Sequence, residues 1–151
     1  MLFLSHHTNK IDSKGRVSVP AAFRGMLACE DFHGVVLFRS QNHKCLEGFG
    51  WATMLELSQR LDHFDLFSDD QDDLATTIFG EAVQIPLDGD GRIKLPEDLT
   101  SFAGMKNQAT FVGLGRKFQI WAPENYEKRQ DEARSNVHKK GLTLPQKGGN
   151  A

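Results

Sequence analysis

A ten-residue stretch that occurs twice constrains this chain more than any other feature. Residues 11–20 read IDSKGRVSVP and residues 87–96 read LDGDGRIKLP, at a constant offset of 76 positions and without a gap. The aspartate, glycine, arginine and proline of one copy therefore match those of the other. A chain with such a repeat is expected to contain two similar structural units.

Each copy has the pattern of a β-hairpin, with a strand, a tight turn and a second strand. Gly15 and Gly91 can adopt the positive φ that a tight turn needs. Asp12 and Asp88 can accept hydrogen bonds from backbone N–H groups two residues further on. These residue types predict a turn at both places.

Apolar and polar residues alternate after each turn, as they do in a strand that buries one face. The buried side is predicted to carry Val17 and Val19 in the first copy, and Ile93 and Leu95 in the second. The opposite side would display Arg16, Ser18, Arg92 and Lys94.

Two interpretations of the arginines follow from the motif itself. An arginine four residues after an aspartate can reach it across the turn, so the pair could be purely structural. Alternatively, the turns display arginines for a ligand, because each has a further cation nearby, Lys14 in one copy and Lys94 in the other.

Three segments, 12–20, 88–96 and 110–121, together resemble the MraZ family, and the resemblance extends over about residues 2–126. It implies an α+β fold that is mainly β, in which two tandem AbrB-like (SpoVT-AbrB) swapped-hairpin units form a pseudo-two-fold β-barrel with short flanking helices. It also implies a ring-like homo-oligomer that binds short direct repeats in the promoter of its own operon for cell division and wall synthesis.

The expected organisation has four parts. Residues 1–61 form the first unit, residues 62–80 an acidic linker with a short helix, residues 81–126 the second unit, and residues 127–151 a polar helix and a flexible tail that frays from about Lys139. Within these parts, we expect helices at 21–28, 51–61, 74–79 and 96–102 and from Pro123, and strands at 35–38, 45–47, 83–85, 109–113 and 118–121. In the helix at 51–61, Trp51, Met54, Leu55, Ser58 and Leu61 fall at helical spacing and predict an apolar face.

Charge is distributed unevenly along the chain. The net charge is −2, but residues 1–60 carry +2, residues 61–90 carry −9 without any Lys or Arg, and residues 91–151 carry +5. The acidic stretch is expected to be solvated, or to pair with a basic surface on a neighbouring subunit. The basic parts remain compatible with a nucleic-acid partner.

Other classes of function find little support. There is no P-loop, nucleophile elbow or paired-histidine motif, so no enzyme and no cofactor are predicted. Cys29 and Cys45 are expected to be reduced, and with His33 and His43 they match no standard metal-ligand spacing. There is no apolar run long enough for a bilayer and no signal-peptide pattern, which predicts a cytoplasmic protein without a membrane partner. A DNA-binding role would in addition make it nucleoid-associated.

The favoured hypothesis is a DNA-binding transcription regulator. A two-stranded ribbon fits the major groove, arginine can bond guanine through two hydrogen bonds, and lysine can bind phosphate. Asp12 and Asp88 would hold the turns, and Asp90 in the second turn would disfavour phosphate, so the first turn is expected to carry more of the contact. The predicted DNA-binding site contains Arg16 and Arg92 first, then Lys14 and Lys94, with Asp12 and Asp88 as the residues that aim the arginines and with Lys10 and Arg24 as lesser candidates. The alternative is a structural or protein-binding oligomer that does not read DNA.

Overall fold

A computed structural model describes residues 2–146, which form an α+β fold rich in antiparallel strands. The strands are β1 (His6–Lys10), β2 (Arg16–Ser18), β3 (Gly34–Arg39), β4 (Leu46–Phe49), β5 (Val83–Pro86), β6 (Arg92–Lys94), β7 (Gln108–Gly113) and β8 (Phe118–Trp121). The helices are α1 (Ala21–Leu27), α2 (Trp51–Arg60), α3 (Asp69–Ile78), α4 (Glu97–Phe102) and α5 (Pro123–Lys140), with a 3-10 turn at Leu61–His63 after α2.

The strands form a six-stranded sheet with the order β1-β7-β8-β4-β3-β5 and a two-stranded ribbon of β2 and β6. Strands β1, β3 and β4 of the first repeat correspond to β5, β7 and β8 of the second. If each strand of the large sheet is exchanged for its counterpart, the strand order is reversed, so the sheet has an internal pseudo-two-fold arrangement. A closed barrel, which the resemblance implies, does not occur within residues 2–146. The reason is that β2 and β6 leave the large sheet and pair with each other.

The hairpin interpretation of the repeated motif needs correction. The strands that flank the first turn belong to different sheets, since β1 pairs with β7 and β2 pairs with β6. They meet each other at the isolated bridge between Ile11 and Val17. Each turn therefore directs the chain from the large sheet into the ribbon, and strand pairing joins the two repeats.

The main core lies between the ribbon, the large sheet and the helices that follow each ribbon strand. The predicted buried face is confirmed, because Val17, Val19, Ile93 and Leu95 are at most 3% exposed. Pro20 and Pro96 immediately precede α1 and α4 as N-cap residues, so α1 begins at the predicted residue and α4 one residue later than predicted. These two helices add Phe23 and Leu99 to the core, which thus contains residues of both repeats.

The acidic connector contains a longer helix than predicted. Helix α3 begins at Asp69, five residues before the predicted start at Leu74, and the hydroxyl of Ser68 accepts a hydrogen bond from the backbone N–H of Gln71. Acidic residues in the first turn are favoured there by the helix dipole. Helices α2 and α3 cover a second cluster around Val36 and Met54, although Leu55, expected on the buried face of α2, is 46% exposed.

The last helix begins at Pro123, as predicted. It continues to Lys140 and ends at Gly141, whose left-handed conformation (φ 59°) terminates the helix. Tyr126 packs against Trp121, with ring centroids 6.4 Å apart. Residues 147–151 of the predicted flexible tail lie outside the described residues, as does Met1 of the first unit.

Candidate nucleic-acid interface

Asp12 organises the first turn through backbone hydrogen bonds. Its Oδ1 atom accepts from the N–H groups of Lys14 and Arg16, both at 2.9 Å, and its carbonyl accepts from Gly15 N–H at 3.0 Å. Gly15 has a φ of 82°, which a residue with a Cβ rarely adopts. The positive φ of Gly15 and the hydrogen bonds accepted by Asp12 therefore stabilise the same turn.

The arginine of this turn is oriented by the same aspartate. Arg16 Nε donates to Asp12 Oδ2 at 2.8 Å, with both side chains about one-third exposed. The N–H group of Arg16, and then its guanidinium, hold the pKa of the Asp12 carboxyl below its ordinary value. Because the bond uses Nε, the pairing is compatible with an interaction of the terminal guanidinium nitrogens with a ligand.

The second turn repeats this geometry with one difference. Asp88 Oδ1 accepts from the N–H groups of Asp90 (2.8 Å) and Arg92 (2.9 Å), and Arg92 Nε donates to Asp88 Oδ2 at 3.1 Å. The pKa of Asp88 is lowered, mainly by the Arg92 N–H. In addition, Asp90 Oδ2 accepts from a terminal nitrogen of Arg92 at 3.3 Å. The Asp90 carboxylate thus takes up one of the terminal guanidinium nitrogens of Arg92 that would otherwise be available to a ligand.

The ribbon brings the two repeats onto one displayed face. Arg16 lies opposite Lys94, and Ser18 lies opposite Arg92. Directly opposed residues of antiparallel strands project to the same side, and diagonal neighbours such as Arg16 and Arg92 lie about 7–8 Å apart. Leu95 N–H donates to the Gly15 carbonyl at one end of the ribbon, and Val19 N–H donates to the Gly91 carbonyl at the other. The two turns therefore lie at opposite ends.

Further lysines lie around the first turn. Lys14 and Lys94 line a surface groove together with Lys106, and Lys106 lines a neighbouring groove with Lys10. Lys106 is exposed in the loop before β7, next to Asn107, whose carbonyl accepts from Ile11 N–H at 2.7 Å. Sequence reasoning missed Lys106, because only the pairing of β1 with β7 brings it near the first turn.

Arg24, a lesser candidate from the sequence, has a structural position. Its terminal nitrogen donates to the carbonyl of Val19 at 2.7 Å. Its side chain crosses Gly91 so closely that a Cβ at that position would come within 2.5 Å of Arg24 Cδ. Arg24 therefore braces the second turn against the end of β2.

The two cysteines considered as metal ligands differ in burial. Cys29 is exposed, whereas Cys45 is buried, and burial raises the pKa of the Cys45 thiol to about 12. Within residues 2–146, no three His, Cys, Asp or Glu side chains are grouped so as to hold a metal ion. In the same range, no helix combines the length and apolar character needed to cross a membrane.

Comparison with known proteins points to one family. The sequence model of the family described as "MraZ protein, putative antitoxin-like" matches residues 78–144. The chain is 45% identical over 143 residues to a protein of Rickettsia rickettsii (strain Sheila Smith) and 43% identical over 143 residues to one of Rickettsia akari (strain Hartford). Each alignment covers 95% of this chain and 96% of the relative, and both relatives carry the name "Transcriptional regulator MraZ".

Proposed function

The chain belongs to the MraZ family, and on that premise we propose that it is a sequence-specific DNA-binding regulator of transcription without catalytic activity. Its target would be repeated elements in the promoter of its own operon for cell division and wall synthesis. It would then act in the cytoplasm, at the nucleoid. The names of the relatives support regulation of transcription, and the ribbon supplies the surface for DNA.

The observation that carries the proposal is the displayed face of the ribbon. Arg16 is held by Asp12 through Nε and lies opposite Lys94 on a two-stranded antiparallel element. A ribbon of this width can enter the major groove, where arginine bonds the O6 and N7 atoms of guanine. Lysines beside it would neutralise phosphates and give the affinity its salt dependence.

The chain topology supports two AbrB-like units that exchange strands. The first strand of each repeat pairs with the third strand of the other repeat, as β1 does with β7 and β5 does with β3. The proposed units, residues 1–61 and 81–126, would thus complete each other. The connector 62–80 and the segment 127–151 would lie outside the repeat.

Assembly into a ring-like homo-oligomer would raise the affinity that one ribbon can provide. Each additional ribbon on a repeated promoter binds at the high effective concentration set by the first. The acidic connector offers a suitable surface, since Leu66 and Phe67 are 76% and 85% exposed there. This exposed apolar pair would be covered by packing against another copy. The basic end of α5 in another copy would complement its charge.

The proposal is tested by fluorescence anisotropy with a labelled duplex from upstream of the gene and a duplex of shuffled sequence. Wild type, Arg16→Ala and the matched control Arg129→Ala are titrated at several salt concentrations, after circular dichroism has verified that each is folded. Arg129 is an equally charged residue on α5, where it pairs with Glu132.

We expect wild type and Arg129→Ala to prefer the promoter duplex, with affinity that falls steeply as salt rises. Arg16→Ala should lose this preference. Equal binding of wild type to both duplexes would overturn the proposal, as would an Arg16→Ala protein that selects the promoter like wild type.

A further inference from the structure

We infer that the DNA-contacting surface is one-sided: the first turn and a lysine track around it bind DNA phosphates, whereas the second turn does not contribute to the selection of sequence. The track consists of Lys10, Lys14, Lys94 and Lys106. This inference rests on the proposed function and adds two things to it. One is Lys106, which lies 90 positions after Arg16 in the sequence, and the other is a difference in role between two turns of equal geometry.

The first observation is how the track is assembled. Lys14 belongs to the first turn, Lys94 lies opposite Arg16 on the second repeat's strand, and Lys106 lines the same groove as both. Lys10 adjoins Lys106 at the end of β1. All four lysines are exposed. Strand exchange therefore places two cations of the second half around the turn of the first half.

The second observation is that the two ends of the ribbon differ in charge although they match in geometry. In the repeat, Lys10 corresponds to Pro86, Lys14 to Asp90, and Lys94 to Ser18. The strand pairing fixes the counterpart of Lys106: Ile11 N–H donates to the Asn107 carbonyl, and Leu87 N–H donates equivalently to the His33 carbonyl. The residue before His33 is Phe32.

Each lysine of the track thus has an uncharged or acidic counterpart. Near the second turn, Asp90 also engages the terminal nitrogen of Arg92, and Arg24 is committed to the Val19 carbonyl. Near the first turn, Asp12 is already bonded to Arg16, and Glu97 also lines the groove with the lysines. A polyanion would therefore be attracted to the first end and opposed at the second by Asp90.

Lysines bind phosphates as point charges without reading sequence. Loss of one such contact should weaken binding to every duplex alike and reduce the slope of log affinity against log salt by about one. Loss of the base-reading arginine should instead reduce selectivity. Phosphate and base contacts can therefore be separated in one set of titrations.

The test uses the full chain and the promoter and shuffled duplexes with Arg16→Ala, Arg92→Ala, Lys10→Ala and Lys106→Ala. Lys44→Ala, in the exposed loop before β4, and Lys128→Ala, on α5, are the matched controls. Thermal unfolding and light scattering verify that each variant keeps the fold and the assembly state of wild type. Asp90→Asn removes the acidic group of the second turn without adding a cation.

We expect Lys10→Ala and Lys106→Ala to bind both duplexes several-fold more weakly, with shallower salt slopes, and the two lysine controls to bind like wild type. Arg92→Ala should select the promoter like wild type, and Asp90→Asn should bind both duplexes at least as tightly as wild type. The inference is overturned if wild type and Arg16→Ala behave as proposed while Lys106→Ala matches the controls, or if Arg92→Ala loses selectivity as Arg16→Ala does. Wild type without promoter preference would instead overturn the proposed function itself.

Discussion

Arg16 lies directly opposite Lys94 across the two-stranded ribbon, so one displayed face combines a cation from each copy of the repeated motif. On the other face of the same strands, Val17 lies opposite Ile93, and both are 1% exposed. The ribbon therefore joins the halves through its buried side and presents charge on its outer side. Stability and DNA reading should accordingly be separable by substitution.

The buried pair should couple the two repeats energetically. Ile93→Ala is expected to destabilise the protein by about 2–5 kcal/mol, because it leaves a cavity in a packed core. Combined with Val17→Ala, the double mutant should depart from additivity by about 0.5–3 kcal/mol, as contacting residues do. Val112→Ala, in a separate cluster with Cys45 and Trp121, should be additive with Val17→Ala. Urea unfolding measures the free energy of unfolding of each single and double mutant. If Val17→Ala is additive with Ile93→Ala as it is with Val112→Ala, the two repeats do not share a core.

A side chain at Gly15 in the first turn should destabilise the fold. Gly15→Ala is expected to destabilise the fold by about 1–2 kcal/mol, since the residue has a φ of 82°. Gly25→Ala is the control, because Gly25 lies within α1 and a Cβ at that position would have open space around it. It should stabilise the helix by about 0.5–1 kcal/mol. Thermal unfolding distinguishes the two, and equal effects would contradict the assigned turn conformation.

Acid should weaken the turns through their aspartates. The pKa values of Asp12 and Asp88 are lowered in the folded protein, so the unfolded chain binds protons first as the pH falls. Their contribution to the free energy of unfolding is complete above about pH 4 and decreases below it. The variant Asp12→Asn with Asp88→Asn should therefore lose stability less steeply than wild type between about pH 4 and pH 2. An unchanged slope of unfolding free energy against pH would contradict this.

The two cysteines should differ in reactivity. Cys29 is exposed, whereas Cys45 is buried with a thiol pKa raised to about 12, and the thiolate is the reactive form. An aromatic disulfide reagent should modify one thiol of the native protein quickly and the second only after unfolding. In Cys29→Ser, the fast reaction should disappear. Rapid modification of two thiols under native conditions would place Cys45 at the surface.

An arginine that reads bases should not be replaceable by lysine. Arg16→Lys keeps the positive charge but loses the planar fork that bonds guanine, so the affinity for the promoter should fall by about 1–3 kcal/mol. Affinity for the shuffled duplex should change little, because it depends on charge. Arg129→Lys on α5 serves as the control. Anisotropy titrations provide both affinities, and equal losses on the two duplexes would limit Arg16 to a phosphate contact.

Local features of this protein were predictable from sequence because they depend on neighbours in the chain. Asp12 accepts hydrogen bonds from the N–H groups of Lys14 and Arg16 and from the side chain of Arg16, and each of these bonds spans at most four residues. A local signal also marks the start of α3, where Ser68 and the following aspartates are typical of a helix N-terminus, but the predicted helix begins five residues later. An acidic run is also typical of a linker, which is why the predicted start of α3 lies too late in the chain.

Long-range pairing was not predictable from residue types. Strands β1 and β7 are about a hundred residues apart, and the hydrogen bond between the hydroxyls of Thr8 and Thr110 spans 102 positions. The sequence pattern favours a hairpin at each turn, whereas in the fold the flanking strands pair across the repeats, β1 with β7 and β2 with β6. Lys106 joins the first turn through this exchange, so no local signal could identify it.

The most direct test of DNA reading by the first turn replaces individual guanines of the promoter repeat by 7-deazaguanine, which lacks the N7 acceptor. Wild type should lose about 1–3 kcal/mol of binding free energy at the guanine that Arg16 contacts. Arg16→Ala should bind the modified and unmodified duplexes equally, since the lost atom has no partner. If every replacement affects wild type and Arg16→Ala to the same extent, Arg16 does not read guanine.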